Sequence, residues 1–171
     1  QDYDLRRIPP GAPEIDADID ALVVVHPKNL PMPTLYAIDQ FVLRGGRLLA
    51  FVDPLCVADL KEEQSPQESM GMPSGSSDLK VMFNAWGIEY DPAKVVADLD
   101  VSTTVRGRDG RPEQSPLYLS MGKNNVNGKD IMTASLESVM MPFAGAFSGT
   151  PKEGIQLTPL ITSSRKSQLV S

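Results

Sequence analysis

The sequence predicts an α/β domain with a parallel core and antiparallel strands added in its C-terminal half. Three observations lead there. The apolar run Ala21–Val25 is bounded by Asp20 and His26-Pro27, as a strand covered on both faces would be. A helical apolar period and a second strand-like run follow within about 32 residues, completing a βαβ unit with parallel strands and a right-handed crossover. From residue 101 onward, strand-like runs recur without a helix after each one, the pattern of antiparallel additions.

Each element has its own local reason. Pro31-Met32-Pro33 opens the helix, since a proline in the first turn forfeits no intrahelical bond. Leu35, Ile38, Phe41 and Val42 then share one face, and Gly45-Gly46 ends the helix. Residues 47–52 form the second strand, stopped by Asp53-Pro54. The polar stretch 61–78 has no apolar period and reads as a long mobile loop. Within it, 64–76 is expected to be disordered, because its composition does not offset an ordering cost of about 1–2 kcal/mol per residue. Ser77 is the predicted N-cap of the next helix, where Leu79, Met82, Phe83 and Trp86 share a face ended by Gly87. Trp86 on that face is a core residue. Residues 95–97 make a third strand of the parallel sheet, ending at Asp98. Beyond it, strands are expected at 101–105, 117–119, 139–147 and 155–162, and a helix at 130–137. The pieces 106–110 and 122–128 between them are rich in turn residues.

Composition narrows the function classes. A chain of 171 residues fits one domain and can bury a sizeable core. A net charge of −6 speaks against a polyanionic partner, and an aromatic content of 6% offers no base-stacking platform, so nucleic-acid binding is not expected. The single cysteine, Cys56, excludes an intrachain disulfide framework. Apolar runs fall far short of the roughly 20 residues that cross a bilayer. The first residue is Gln1, without a signal-peptide pattern, so any anchor or targeting segment is expected outside this chain.

The motifs of catalysis are missing. There is no phosphate-binding G-x-x-x-x-G-K-[ST], no G-x-G-x-x-G after a strand, no G-x-S-x-G and no H-E-x-x-H. A Ser-His-Asp arrangement has only His26 to draw on, and no serine stands on a strand-to-helix turn. No catalytic residue, cofactor or metal is therefore assigned, and the chain is expected not to be an enzyme. Asp16-x-Asp18-x-Asp20 begins like a calcium loop, but Ala21 stands where a glycine is needed and Pro27 where a bidentate glutamate is needed. It reads as a solvated acidic entry to the strand. His26, Asp53 and Asp98 are the candidate ligand-binding residues, each at the carboxyl end of a predicted parallel strand, the edge where open α/β sheets hold ligands. The competing reading is structural: His26-Pro27 and Asp53-Pro54 turn the chain out of the sheet, with aspartate accepting loop N–H groups. Cys56, near the same edge, reads as a small, partly buried hydrophobe without a catalytic role.

The segment from Ile19 to Pro27, with Leu35-Tyr36-Ala37-Ile38-Asp39-Gln40-Phe41-Val42-Leu43-Arg44-Gly45-Gly46 and the strand through Asp53-Pro54, resembles the auxiliary component of ABC transporters related to gliding motility. Ala85-Trp86-Gly87-Ile88, Val96-Ala97-Asp98 and Pro159-Leu160-Ile161-Thr162-Ser163-Ser164 are similar to later landmarks of that family. The resemblance implies a flavodoxin-like open sheet, close to that of class I glutamine amidotransferases. It also implies a domain on the extracytoplasmic (periplasmic) side of the bacterial cytoplasmic membrane, anchored by segments outside this chain. Its implied partners are an ABC transporter permease or other envelope proteins. The amidotransferase nucleophile elbow is not matched, since Cys56 follows a proline without flanking glycines. Family members place a further strand and helix ahead of the Tyr3-Asp4-Leu5-Arg6-Arg7 stretch, so the sequence is expected to start inside the domain and leave a strand edge open. Pairing of residues 3–8 with Ala21–Val25 is the expected repair, ahead of pairing with a second copy.

The function expected from this reading is binding to a protein or a substrate, without chemistry, in a transport system. A small-molecule, sugar-like binder using the His26, Asp53 and Asp98 edge is the first alternative. A hydrolase or transferase of amidotransferase-like fold is the second.

Overall fold

Alternation of covered and exposed residues along Ala21–Val25 (β1) sets the first layer of the fold. The computed structural model describes residues 3–59, 75–107 and 109–171. β1 leads into the helix Met32–Leu43 (α1) and then the strand Arg47–Phe51 (β2), which pairs with β1 in parallel, Ala21 opposite Arg47 through Val25 opposite Phe51. The βαβ unit is therefore present as expected. Its helix opens with proline in the first turn and buries Thr34, Ala37, Ile38 and Phe41. It stops where Gly45 takes φ +94°: the Gly45 N–H donates to the Val42 carbonyl and the Gly46 N–H to the Phe41 carbonyl, each at 2.9 Å. That pair of bonds satisfies carbonyls that a helix end leaves unpaired.

The helix Lys80–Trp86 (α2) also ends at the expected residue, Gly87, with φ +75°. Leu22, Ala37, Ile38, Phe41, Leu79, Met82 and Phe83 with Ile15 form the first core cluster, and Trp86 packs against its rim. Ser77 does not cap α2, whose start lies at Leu79 with no side-chain cap. The Ser77 hydroxyl is committed instead to the Asp53 N–H at 2.8 Å. Of the loop expected to be mobile, residues 61–74 lie outside the described residues; Gly75, Ser76 and Ser77 are buried, contrary to the expectation.

Glu89–Tyr90 (β3), Val95–Ala97 (β4), Ser102–Arg106 (β5), Pro112–Gly122 (β6), Ser138–Pro142 (β7), Phe147–Ser148 (β8) and Gln168–Val170 (β9) complete the described elements. β4 is the principal correction. It pairs antiparallel with β9 and is not a third strand of the parallel sheet. The antiparallel strands do occur in the C-terminal half, but among the described residues they form separate sheets, β5-β6-β7, β3-β8 and β4-β9. Val96, Leu119 and Met121 form the second core cluster.

Three C-terminal expectations fail for local reasons. Residues 130–137 form turns, because the Asp130 carboxylate accepts the Met132 N–H at 2.9 Å and the Thr133 hydroxyl donates to the Asn127 carbonyl at 2.7 Å. Such bonds offer the backbone an alternative to helix. Residues 155–162 contribute only the bridge between Val126 and Ile161, with Pro159 removing a ladder donor. The expected strand 139–147 is split into β7 and β8 at Phe143, which takes φ 51°.

Candidate functional site

Because β1 and β2 are parallel and in register, the residues that follow them emerge at one edge. His26 leaves β1 with its N–H donating to the Phe51 carbonyl at 2.9 Å, then turns sharply at φ 49° into the buried Pro27. A positive φ is strained for a residue with a Cβ, and such strain collects at functional sites. Asp53 follows β2 and has its backbone held on both sides: Ser77 N–H donates to its carbonyl and Ser77 Oγ accepts from its N–H, both at 2.8 Å. Ser77 thereby performs the turn-holding role expected of the aspartate. The Asp53 carboxylate is left facing His26, with Oδ2 at 3.4 Å from Nδ1.

The other side of the imidazole faces a second carboxylate, Asp59, with Oδ2 at 3.5 Å from Nε2. Asp59 is itself paired with Lys28. The hydrogen bond from Lys28 holds the Asp59 carboxyl below its ordinary range, against the opposing effect of burial. Cys56 sits between the two aspartates in sequence, its N–H donating to the Gly75 carbonyl at 2.7 Å and its carbonyl accepting from Asp59 N–H at 3.2 Å. A His26 nitrogen, an Asp53 oxygen and Cys56 Sγ all lie within 4.8 Å of one another. Both His26 ring nitrogens are shielded from solvent and lack a hydrogen-bond partner among the described residues. One imidazole, one thiol and one carboxylate in that arrangement form a set of metal-ligating donors.

Asp98 does not join this group. β4 pairs with β9 in a sheet separate from the β1–β2 pair. Asp98 is 1% exposed, and its carboxylate accepts the Ser164 N–H at 2.7 Å, the Ser164 hydroxyl at 2.9 Å and the Asp100 N–H at 3.0 Å. Burial pushes its carboxyl up, but the bonds from Ser164, Asp100 and Val101 together outweigh that and hold it below its ordinary range. It is a structural anchor between β4 and the stretch before β9. Of the three residues named from sequence, His26 and Asp53 meet; Cys56, Asp59 and Lys28 complete their surroundings. No period in the loop after Pro54 marks Cys56 or Asp59 as facing His26.

A second feature adjoins this edge. Leu22, Val24, Leu48 and Ala50 turn inward from β1 and β2 toward the first core cluster. The alternate residues do not meet a second layer: Val23, Val25, Leu49 and Phe51 are 58%, 67%, 44% and 50% exposed. The expectation of a strand covered on both faces is therefore not met among the described residues. The outer edge of β1 is also open there. The Asp20 carbonyl and His26 N–H bond toward β2, so the backbone groups of Ala21, Val23 and Val25 point the other way. Residues 3–8 do not pair with them, contrary to the expected repair. Arg6 ties that segment to Asp18 at 2.8 Å, and Gly11 N–H donates to Thr34 Oγ1 at 2.9 Å. Between the segment and β1 runs a groove of about 1200 Å³, walled by Tyr3, Ile8, Ile15, Ile19, Val23 and Thr34 among others.

A family model described as an ABC-type uncharacterized transport system matches residues 1–171. No curated protein and no solved structure matches the chain.

Proposed function

The chain belongs to that family, the auxiliary components of an ABC-type uncharacterized transport system, and from this premise we propose that it works by docking a partner polypeptide, without chemistry of its own. The observation that carries the reading is the apolar face of β1 and β2, bare among the described residues, beside an edge of β1 that pairs with none of them. An open edge offers unpaired N–H and C=O groups to an added strand, while side-chain sites on the face give specificity. Contiguous exposed apolar surface on a water-soluble fold marks a contact site. The groove of about 1200 Å³ exceeds the roughly 300–1,000 Å³ usual for small-molecule pockets and suits an extended peptide.

The occupant we infer is a strand of the transport system's permease or of another envelope protein, met on the extracytoplasmic side of the membrane. The parallel βαβ unit is the repeating unit of a flavodoxin-like sheet, and a strand added at β1 would extend it in that sense. A photo-crosslinking side chain at Val25, in cells carrying the full transport system, is expected to join this chain to the permease or another system component. Val25→Lys, which changes an exposed side chain, is expected to weaken that association at least tenfold with little change in melting temperature. Crosslinks confined to the chain itself, or an unaltered association in V25K, would overturn the reading.

A further inference from the structure

We propose that His26, Asp53 and Cys56 form a zinc site at the carboxyl edge of the β1–β2 sheet, with Asp59 orienting the imidazole from behind. This goes beyond docking and rests on other side chains.

The distances are those of ligands sharing an ion. In a tetrahedral site with Zn–N and Zn–O bonds of about 2.0–2.2 Å, neighbouring nitrogen and oxygen ligands stand roughly 3.3–3.5 Å apart. His26 Nδ1 and Asp53 Oδ2 are 3.4 Å apart and do not form a hydrogen bond. Cys56 Sγ lies within 4.8 Å of an imidazole nitrogen of His26 and a carboxylate oxygen of Asp53, and side-chain movement of about 1 Å brings it to the longer edge that a Zn–S bond of about 2.3 Å requires. Binding replaces the thiol proton with the metal and releases that proton to solvent. The thiolate and the Asp53 carboxylate then balance the dication, and the imidazole stays neutral.

The far side of the ring supports the same assignment. A metal-bound histidine usually donates its other N–H to a carboxylate, which sets the tautomer and the ring's orientation. Asp59 Oδ2 stands 3.5 Å from Nε2, and Lys28 keeps that carboxylate charged. An imidazole with both nitrogens shielded from solvent and neither hydrogen-bonded among the described residues is costly in a native structure. A metal on Nδ1 and a tightened bond to Asp59 on Nε2 resolve both. The donor types favour zinc over magnesium or calcium, for which a thiolate and an imidazole are poor ligands. Asp53 is the half-exposed member of the set, so a fourth ligand enters from the solvent side, as water or as a side chain of a partner.

Cobalt(II) is the probe, because it takes zinc sites and reports a bound thiolate optically. Titration of the chelator-treated, reduced chain is expected to give a thiolate-to-cobalt absorption band and tetrahedral ligand-field bands. They should saturate at one ion per chain and disappear on adding zinc. Cys56→Ser is expected to abolish the thiolate band, and His26→Gln to weaken binding at least a hundredfold. Asp59→Asn, which changes a group that does not touch the metal, is expected to weaken it about tenfold. Zinc is expected to slow alkylation of Cys56 in the unaltered chain at least tenfold, a measurement independent of whether the variants fold. A missing thiolate band, binding that survives in both C56S and H26Q, or alkylation indifferent to zinc would each overturn the site. None of these readouts depends on the docking partner, so the two proposals fail separately.

Discussion

Asp98 is 1% exposed and ties the end of β4 to the stretch before β9. A lone aspartate closing a short apolar strand suggests a ligand edge, yet its place in the fold makes it a clamp. Its carboxylate gathers donors from Asp100 and from Ser164, residues far apart in sequence. Removing it leaves those donors unmatched in a buried setting, so Asp98→Ala is expected to cost about 2–4 kcal/mol in denaturant unfolding at neutral pH. The pH dependence follows from the lowered carboxyl. A carboxylate held down in the folded state stabilises fully above its unfolded value, near 3.8, and that contribution is lost as pH falls through the lower folded value. The gap between the natural chain and D98A is therefore expected to be widest at neutral pH and to shrink on acidification below about 4. A gap that stays constant down to pH 2 would count against the clamp. His26 and Asp53 were legible because each is the first polar residue beyond a strongly apolar strand. Cys56, Asp59 and Lys28 were not, because a loop after proline carries no period from which to read which way its side chains point.

At the scale of elements, the βαβ unit was legible down to its ends, and the Gly45-Gly46 pair shows why. Gly45 supplies the left-handed turn, and Gly46 lies so close under the Phe41 ring that an added Cβ would collide with it. Phe41 is fully buried and also lies 5.2 Å beneath the Arg44 guanidinium, so it has little freedom to move aside. Gly46→Ala is expected to destabilise by about 1–3 kcal/mol through overpacking. Gly45→Ala, with open space around it, is expected to cost about 1 kcal/mol through backbone strain alone. Thermal melts of the two variants would separate these effects, and equal losses would contradict the packing argument. Strands and helices of the second half were harder to read. Side-chain bonds around Asp130 and Thr133, and the left-handed Phe143, override apolar patterns too short to assert a period. The pairing of β4 with β9 is also invisible locally, because nothing in a three-residue apolar run names its partner or its direction.

The two core clusters are joined by one alternating stretch. Ala144 and Ala146 pack on the cluster of Val96, Leu119 and Met121. The residues that alternate with them turn the other way: Gly145 fits against Tyr90 and Pro54, and the Phe147 ring stands 5.5 Å from Phe83 and 5.4 Å from Tyr90. Phe147→Ala is expected to cost about 1–3 kcal/mol, although the residue is half exposed, since each aromatic pair contributes about 0.5–1.5 kcal/mol. A double-mutant cycle with Phe83→Leu should return a coupling above about 0.5 kcal/mol, and strict additivity would show that the rings do not transmit stability between the clusters. The α/β character of the whole was legible, because periodicity reports which residues are apolar and how often. Whether the antiparallel strands extend the parallel sheet or form their own was not, because that depends on contacts between distant segments.

The partnership of β4 with β9 has a consequence for the order in which the protein is made. Ribosomes deliver a chain from its N-terminus, and the β1–α1–β2 unit is available for folding as soon as its short span has emerged. β4 waits for β9 until about seventy further residues have been synthesised. Until then the edge of β4 is uncovered and Asp98 lacks Ser164, so the second half of the nascent chain has an extended interval in which a foreign strand can take β9's place.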